Sequence, residues 1–215
     1  MKPTYFLFAV LALILLTIVP MQAATIAYAD PADTGNEAWT GNLGEDFTVN
    51  SPITITALGV YDSGQGPING DLEVAIFSSS GTQETPAEIF TGPITSYTLI
   101  GGDVFQTLTA PITLGPGNYS LTTTGWSSTV LNGNANAPGY TPPTLNTGGG
   151  AITFSGIGYS TTPGLVYLAP VSPYPANQFN AGSFQFTTSP EPATLVGVAL
   201  GLIGLLAFRR QSVKG

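Results

Sequence analysis

The stretch Leu72-Glu73-Val74-Ala75-Ile76 alternates apolar and other residues, placing Leu72, Val74 and Ile76 on one face and Glu73 on the other. A period of two is the signature of a half-buried strand, whereas an amphipathic helix repeats its apolar positions every 3.6 residues. Working outward, Ile53-Thr54-Ile55-Thr56 repeats the alternation, and Val104–Leu108, Ile112–Leu114, Tyr119–Thr123, Ala151–Phe154, Leu165–Leu168 and Ser183–Thr187 read as further strands. No segment of the central chain keeps a helical apolar period over three turns. Turn chemistry separates the strands. Pro116 presets φ and Gly117 accepts positive φ before Tyr119–Thr123, and Asn69-Gly70 offers a reversal before Leu72–Phe77. Asn132–Gly150, rich in Asn, Gly and Pro, reads as a long surface loop. Short strands joined by Gly/Pro turns predict an all-β, antiparallel, jelly-roll-like β-sandwich.

The chain has 215 residues, of which 7% are charged, with a formal net charge of −8. Its four basic residues are Lys2, Arg209, Arg210 and Lys214. Between Ala24 and Ser189 there is no Lys, Arg, His or Cys, so the centre carries acidic charge only, from Asp30 through Asp103. This composition argues against several function classes. Nucleic acid is not expected as a partner, because phosphate contacts need cations. Anionic polysaccharide is a poor partner for the same reason. Ser-His-Asp, Cys-His and Ser-Lys systems lack their base, and zinc sites lack Cys and His ligands. Carboxylate chemistry, hard-cation binding and recognition of neutral ligands remain.

Both ends read as addressing segments. In Met1–Ala24, Lys2 precedes an uncharged run over Tyr5–Val19, then Pro20 and the small residues Ala23 and Ala24. This is the order of a secretory signal peptide, cleaved near Ala23 or Ala24 with Ala29 as a later option. At the other end, Pro190-Glu191-Pro192 precedes an apolar run at 193–208 and then Arg209-Arg210. A helix over that run would be about 24 Å long, short against a hydrocarbon core of about 30 Å. Snorkelling of the two arginines covers part of the mismatch. They also act as a membrane stop and keep the tail cytoplasmic, with residues before Ser189 outside. The expected division is residues 1–24 signal peptide, 25–188 β domain and 189–215 sorting segment with a transmembrane helix at 193–208.

Two resemblances rest on these residues. Pro190-Glu191-Pro192, the apolar span and Arg209-Arg210 together resemble the PEP-CTERM sorting signal. That resemblance implies export, a transient membrane anchor and processing by exosortase, a membrane protease. Phe47-Thr48-Val49, Ile53–Asp62 and Pro111–Tyr119 resemble a β-sandwich module found in front of that signal. The module implies a fold and no activity.

The candidate sites are few. Asp62, Asn69 and Asp71 bring oxygen ligands to one Gly-rich loop, a candidate Ca²⁺ set without EF-hand spacing; Asp in such turns also caps the turn itself. No other cofactor is expected. The pairs Glu45/Asp46 and Glu84/Glu88 are candidates for glycoside hydrolysis. Glu45 and Asp46 would point to opposite faces of a strand, so solvated surface acids are the default expectation. Trp39, Trp126 and Tyr140, with Tyr159 and Tyr174, offer aromatic faces on which a sugar ring could stack. The expectation is a non-catalytic surface or extracellular-matrix protein that contacts neutral glycan, such as an extracellular polysaccharide. The alternative is a secreted, carboxylate-dependent glycoside hydrolase.

Overall fold

A computed structural model describes residues 23–62, 64, 68–92, 96–171 and 173–188. The 5–19 run expected to belong to a signal peptide, Pro190, Glu191 and Pro192, the 193–208 span, and Arg209 and Arg210 lie outside the described residues. Among the described residues no helix is long and apolar enough to cross a membrane.

The strands are β1 (Thr25–Ile26), β2 (Tyr28–Ala29), β3 (Asn42–Val49), β4 (Ile53–Tyr61), β5 (Ile68–Ser78), β6 (Glu88–Gly92) and β7 (Thr98–Ile100). They continue with β8 (Asp103–Leu114), β9 (Gly117–Thr124), β10 (Gly133–Asn134), β11 (Thr144–Leu145), β12 (Ile152–Ser160), β13 (Phe179–Asn180) and β14 (Gly182–Thr188). The fold is all-β and its ladders are antiparallel. One five-stranded sheet has the order β1-β14-β4-β8-β7, a second has β12-β3-β9-β5-β6, and two short ladders join β10 to β13 and β11 to β2.

Both large sheets contribute side chains to one buried core. Leu72, Val74 and Ile76 are fully buried there, as their alternation requires. In β4 the alternation changes parity. Ile53 and Ile55 are buried, and so are Leu58 and Val60, an odd number of residues further on. A register shift between Ile55 and Ala57 leaves Thr56 out of both ladders: it is the extra residue against β14, while against β8 the longer excursion, over 108–111, is in β8. A bulge of this kind re-aims every later side chain, which keeps the large residues facing inward. Across the core, the Phe47 ring of β3 meets Phe184 of β14 at 4.8 Å, and Phe184 also touches Tyr28 at 6.2 Å and Phe186 at 5.7 Å.

Three local expectations are corrected. Asn69-Gly70 is not a turn: it lies inside β5, where the register with β6 shifts between Ile68 and Leu72. Ile112–Leu114 is the end of one long strand, β8. Leu165–Leu168 is not a strand but an irregular segment over the outer face of β3 and β12. There Gly44 pairs with Gly158 and leaves a depression. A Cβ at Gly44 would lie 2.9 Å from a Leu168 methyl, and one at Gly158 would lie 2.7 Å from the Leu168 Cβ. Leu168 fills the space that the two missing side chains leave.

Tyr28, the first residue of β2, is fully buried. A cut after Ala29 would strip this ring from the core and Thr25 and Ile26 from their partners Phe186 and Gln185. The folded domain therefore needs residues 25–29. After β9 the chain turns at Gly125, with φ +99° and an added Cβ only 2.0 Å from the Asp71 carbonyl oxygen. Gly125→Ala combines a left-handed backbone with a backbone clash, so a loss of at least about 2 kcal/mol is expected by chemical denaturation.

Candidate functional site

The cleft with the most chemistry is built where β3 and β12 pair. Register sets Tyr159 opposite Leu43, three residues before which the chain carries Trp39's neighbour Thr40. Trp39 reaches this place because Gly41 has no side chain: a Cβ there would lie 2.2 Å from the Ser160 carbonyl oxygen and 2.7 Å from Trp39 Nε1. The Trp39 and Tyr159 rings stand 5.9 Å apart at 86°, and Tyr159 and Tyr174 stand 6.5 Å apart at 73°. Together they wall a cleft of about 150 Å³ that Glu37, Asn134 and Gln178 also line. Tyr159 is 44% exposed, so the aromatic wall opens to solvent.

The polar side of the cleft is held by amides. Glu37 and Asn132 exchange backbone hydrogen bonds, each 3.0 Å. The Asn134 Nδ2 group donates to Glu37 Oε1 at 2.8 Å, and its Oδ1 accepts from Gln178 Nε2 at 2.8 Å and from the Asn136 amide at 2.9 Å. Asn36 Oδ1 accepts from the Asn134 amide at 2.7 Å, while its Nδ2 donates to the Asn134 carbonyl at 3.1 Å. The first part of the Asn132–Gly150 loop is thus pinned by side-chain amides, which satisfy backbone groups that a strand ladder would otherwise satisfy. Its apparent looseness in sequence comes from this substitution.

The structure brings together only some of the candidate residues. Trp39, Tyr159 and Tyr174 share the cleft. Trp126 is a core residue at 2% exposure, its Nε1 donating to Thr123 Oγ1 at 3.0 Å, so its ring has no face to offer a ligand. Tyr140 donates its hydroxyl to the Asn177 carbonyl, tying the loop to the segment before β13. Asp62 is buried at the end of β4, its amide donating to the Gly102 carbonyl at 2.7 Å, and burial pushes its carboxyl up to about 6. Asp71 is exposed, and the Asn69 side chain lies outside the described residues. Among the described residues no group of three or more His, Cys, Asp or Glu is placed to hold a metal ion.

A second cluster corrects the expectation of solvated acids. Glu45 and Asp46 are 1% and 2% exposed, and Asp30 and Asp103 are buried as well. As their strand parity requires, Glu45 and Asp46 part company. Glu45 lies on the inward face with Leu43 and Phe47, while the Ser120 hydroxyl supports the charged form of Asp46. Burial nevertheless pushes Asp46 up to about 6. The Asp30 amide donates to Asp103 Oδ2 at 3.0 Å. Burial, and then the charge of Asp103, hold both Asp30 and Glu45 well above the usual carboxylate range. Burial pushes Asp103 itself up to about 7, against the opposing hydrogen bond from the Asp30 amide. Among the described residues neither Glu45 oxygen has a hydrogen-bond partner, and Asp103 Oδ1 has none. The clue in sequence was the census of cations: no Lys, Arg or His exists in this domain to neutralise a buried acid.

Comparison with known families gives one match, the PEP-CTERM protein-sorting motif, at residues 190–211. No curated protein matches the chain. The matched segment contains Pro190, Glu191, Pro192, Arg209 and Arg210 and begins two residues after the end of β14. The chain therefore carries a PEP-CTERM protein-sorting motif directly behind a predominantly β domain.

Proposed function

We propose that this chain is an exported, non-catalytic glycan-binding protein. The PEP-CTERM motif implies export, sorting by exosortase and a membrane-anchored C-terminus before release to the cell surface or beyond. The domain that is delivered is a jelly-roll-like sandwich of its two five-stranded sheets. Its cleft contacts a sugar without anionic groups, such as a unit of an extracellular polysaccharide.

The carrying observation is the grouping of Trp39, Tyr159 and Tyr174 with a side-chain amide network in one open cleft. Aromatic faces match the apolar faces of sugar rings, and amides match hydroxyl groups in both donor and acceptor roles. The absence of any cation between Ala24 and Ser189 disfavours uronate, sulfate and phosphate groups. The non-catalytic reading is supported by the lining of the cleft, where Glu37 is the one carboxylate. Glycoside hydrolysis uses two carboxyl groups about 5–10 Å apart across the substrate. Calcium is not needed for the contact proposed.

Trp39→Ala is expected to lower binding on an array of neutral and amine-bearing oligosaccharides at least tenfold, with an unchanged circular dichroism spectrum. Binding equal to that of the parent chain, or sugar turnover by the purified protein, would end this reading.

A further inference from the structure

We infer that the group seated in the aromatic cleft is an ammonium group, and that the sugar it recognises is an amine-bearing one, such as a deacetylated hexosamine unit. This inference rests on the glycan reading above and specifies its ligand.

Three features of the cleft point to a cation rather than to a flat sugar face. The first is the arrangement of the rings. A pyranose stacking on its own needs one broad, open platform. Here Trp39 and Tyr159 meet at 86° and Tyr159 and Tyr174 at 73°, so neighbouring walls are nearly perpendicular. Near-perpendicular neighbouring rings are an arrangement from which negative ring quadrupoles can act on one compact ammonium from more than one direction.

The second is size. At about 150 Å³ the cleft is small against the 300–1,000 Å³ of ordinary small-molecule sites, enough for one compact group and not for an oligosaccharide. The remaining sugar units would lie outside it, over the exposed edge of Tyr159.

The third is charge. Glu37 lines the cleft and gives only one oxygen, Oε1, to Asn134. Its second oxygen accepts no hydrogen bond from the described residues, which leaves it for an N–H donor. No Lys, Arg or His between Ala24 and Ser189 competes for that carboxylate. The formal charges of the surrounding domain are all negative, which favours a cation over an anion, the more so at low salt.

An N-acetyl group removes both attractions at once, since it is uncharged and replaces the ammonium donors with a single amide N–H. The decisive measurement is calorimetric titration of the full-length protein with a glucosamine trimer, an N-acetylglucosamine trimer and tetramethylammonium chloride. The glucosamine trimer is expected to bind at least tenfold more tightly than the N-acetylated one, with an affinity that falls as salt is raised. Glu37→Gln keeps the Oε1 acceptor for Asn134 and is expected to cut that preference at least fivefold. Equal or tighter binding of the N-acetylated trimer would overturn the ammonium assignment and leave the glycan reading standing. Binding of tetramethylammonium with neither trimer would support the cation cage and overturn the glycan reading. Binding of none of the three would overturn both.

Discussion

Phe184→Ala is expected to destabilise the domain by about 3–5 kcal/mol, the usual cost of emptying a fully buried phenylalanine site. Phe184 is 0% exposed and is one of the rings through which the two sheets meet. It touches Phe47 of the opposite sheet, Phe186 of its own strand, and Tyr28 from the N-terminal segment. Because these neighbours belong to three different parts of the chain, the cavity cannot close by moving one side chain. Urea denaturation followed by fluorescence should show a lower midpoint with an unchanged slope, the sign of lost stability without a changed extent of unfolding. A loss under about 1 kcal/mol would mean that the two sheets do not depend on this contact.

Stability is also expected to fall as pH rises from about 4 to about 7, by at least about 3 kcal/mol, or about 6–12 °C in Tm for a domain of this size. The sign follows from proton binding. Asp30, Glu45 and Asp103 are neutral when folded well above the pH at which the unfolded chain ionises them. Between those limits the folded state holds more protons, so unfolding is favoured by each increase in pH, by up to about 1.4 kcal/mol per pH unit and proton. The contribution is complete below the unfolded carboxylate range and is lost as pH passes the folded value, about 7 for Asp103. Asp46 and Asp62, each pushed up to about 6, act in the same direction. The charge of Asp33 raises Asp30 further. Tyr28, beside them, offers no relief, since among the described residues its hydroxyl has no hydrogen-bond partner. Glu45→Gln is expected to flatten the profile and raise Tm at neutral pH. A melting temperature constant from pH 4 to 7 would show that these acids are ionised in the folded protein.

Much of the fold was readable because β5 obeys a single rule. Leu72, Val74 and Ile76 share a face in the sequence and share the core in the structure. In β4 the same rule holds only up to Thr56, where the bulge inverts it, and no local signal marks a residue that two neighbouring strands agree to leave out. Leu165–Leu168 has strand-like composition but forms no ladder, lying instead across the outer face of β3 and β12. It serves as a cover because Gly44 and Gly158, far apart in the chain, fall opposite one another. The candidate site was legible in part. Trp39, Tyr159 and Tyr174 were each visible as aromatic residues outside obvious strands, yet nothing in their spacing separated them from Trp126, which the core absorbs.

What could be settled from the residues in order is what depends on near neighbours or on a simple count. The all-β character follows from a period of two. The acid-only domain follows from where four basic residues stand. The sorting motif follows from a contiguous run at 190–211. What waited for the tertiary structure is every question of which face is buried and against what. Alternation says that two faces differ, but the pairing of β3 with β12 and β9 decides that Glu45 goes inward. The same pairing carries Tyr159 to Trp39, more than a hundred residues earlier in the chain. Burial is a property of partners distant in sequence, so the buried acids and the aromatic cleft both come into being only when the sheets close.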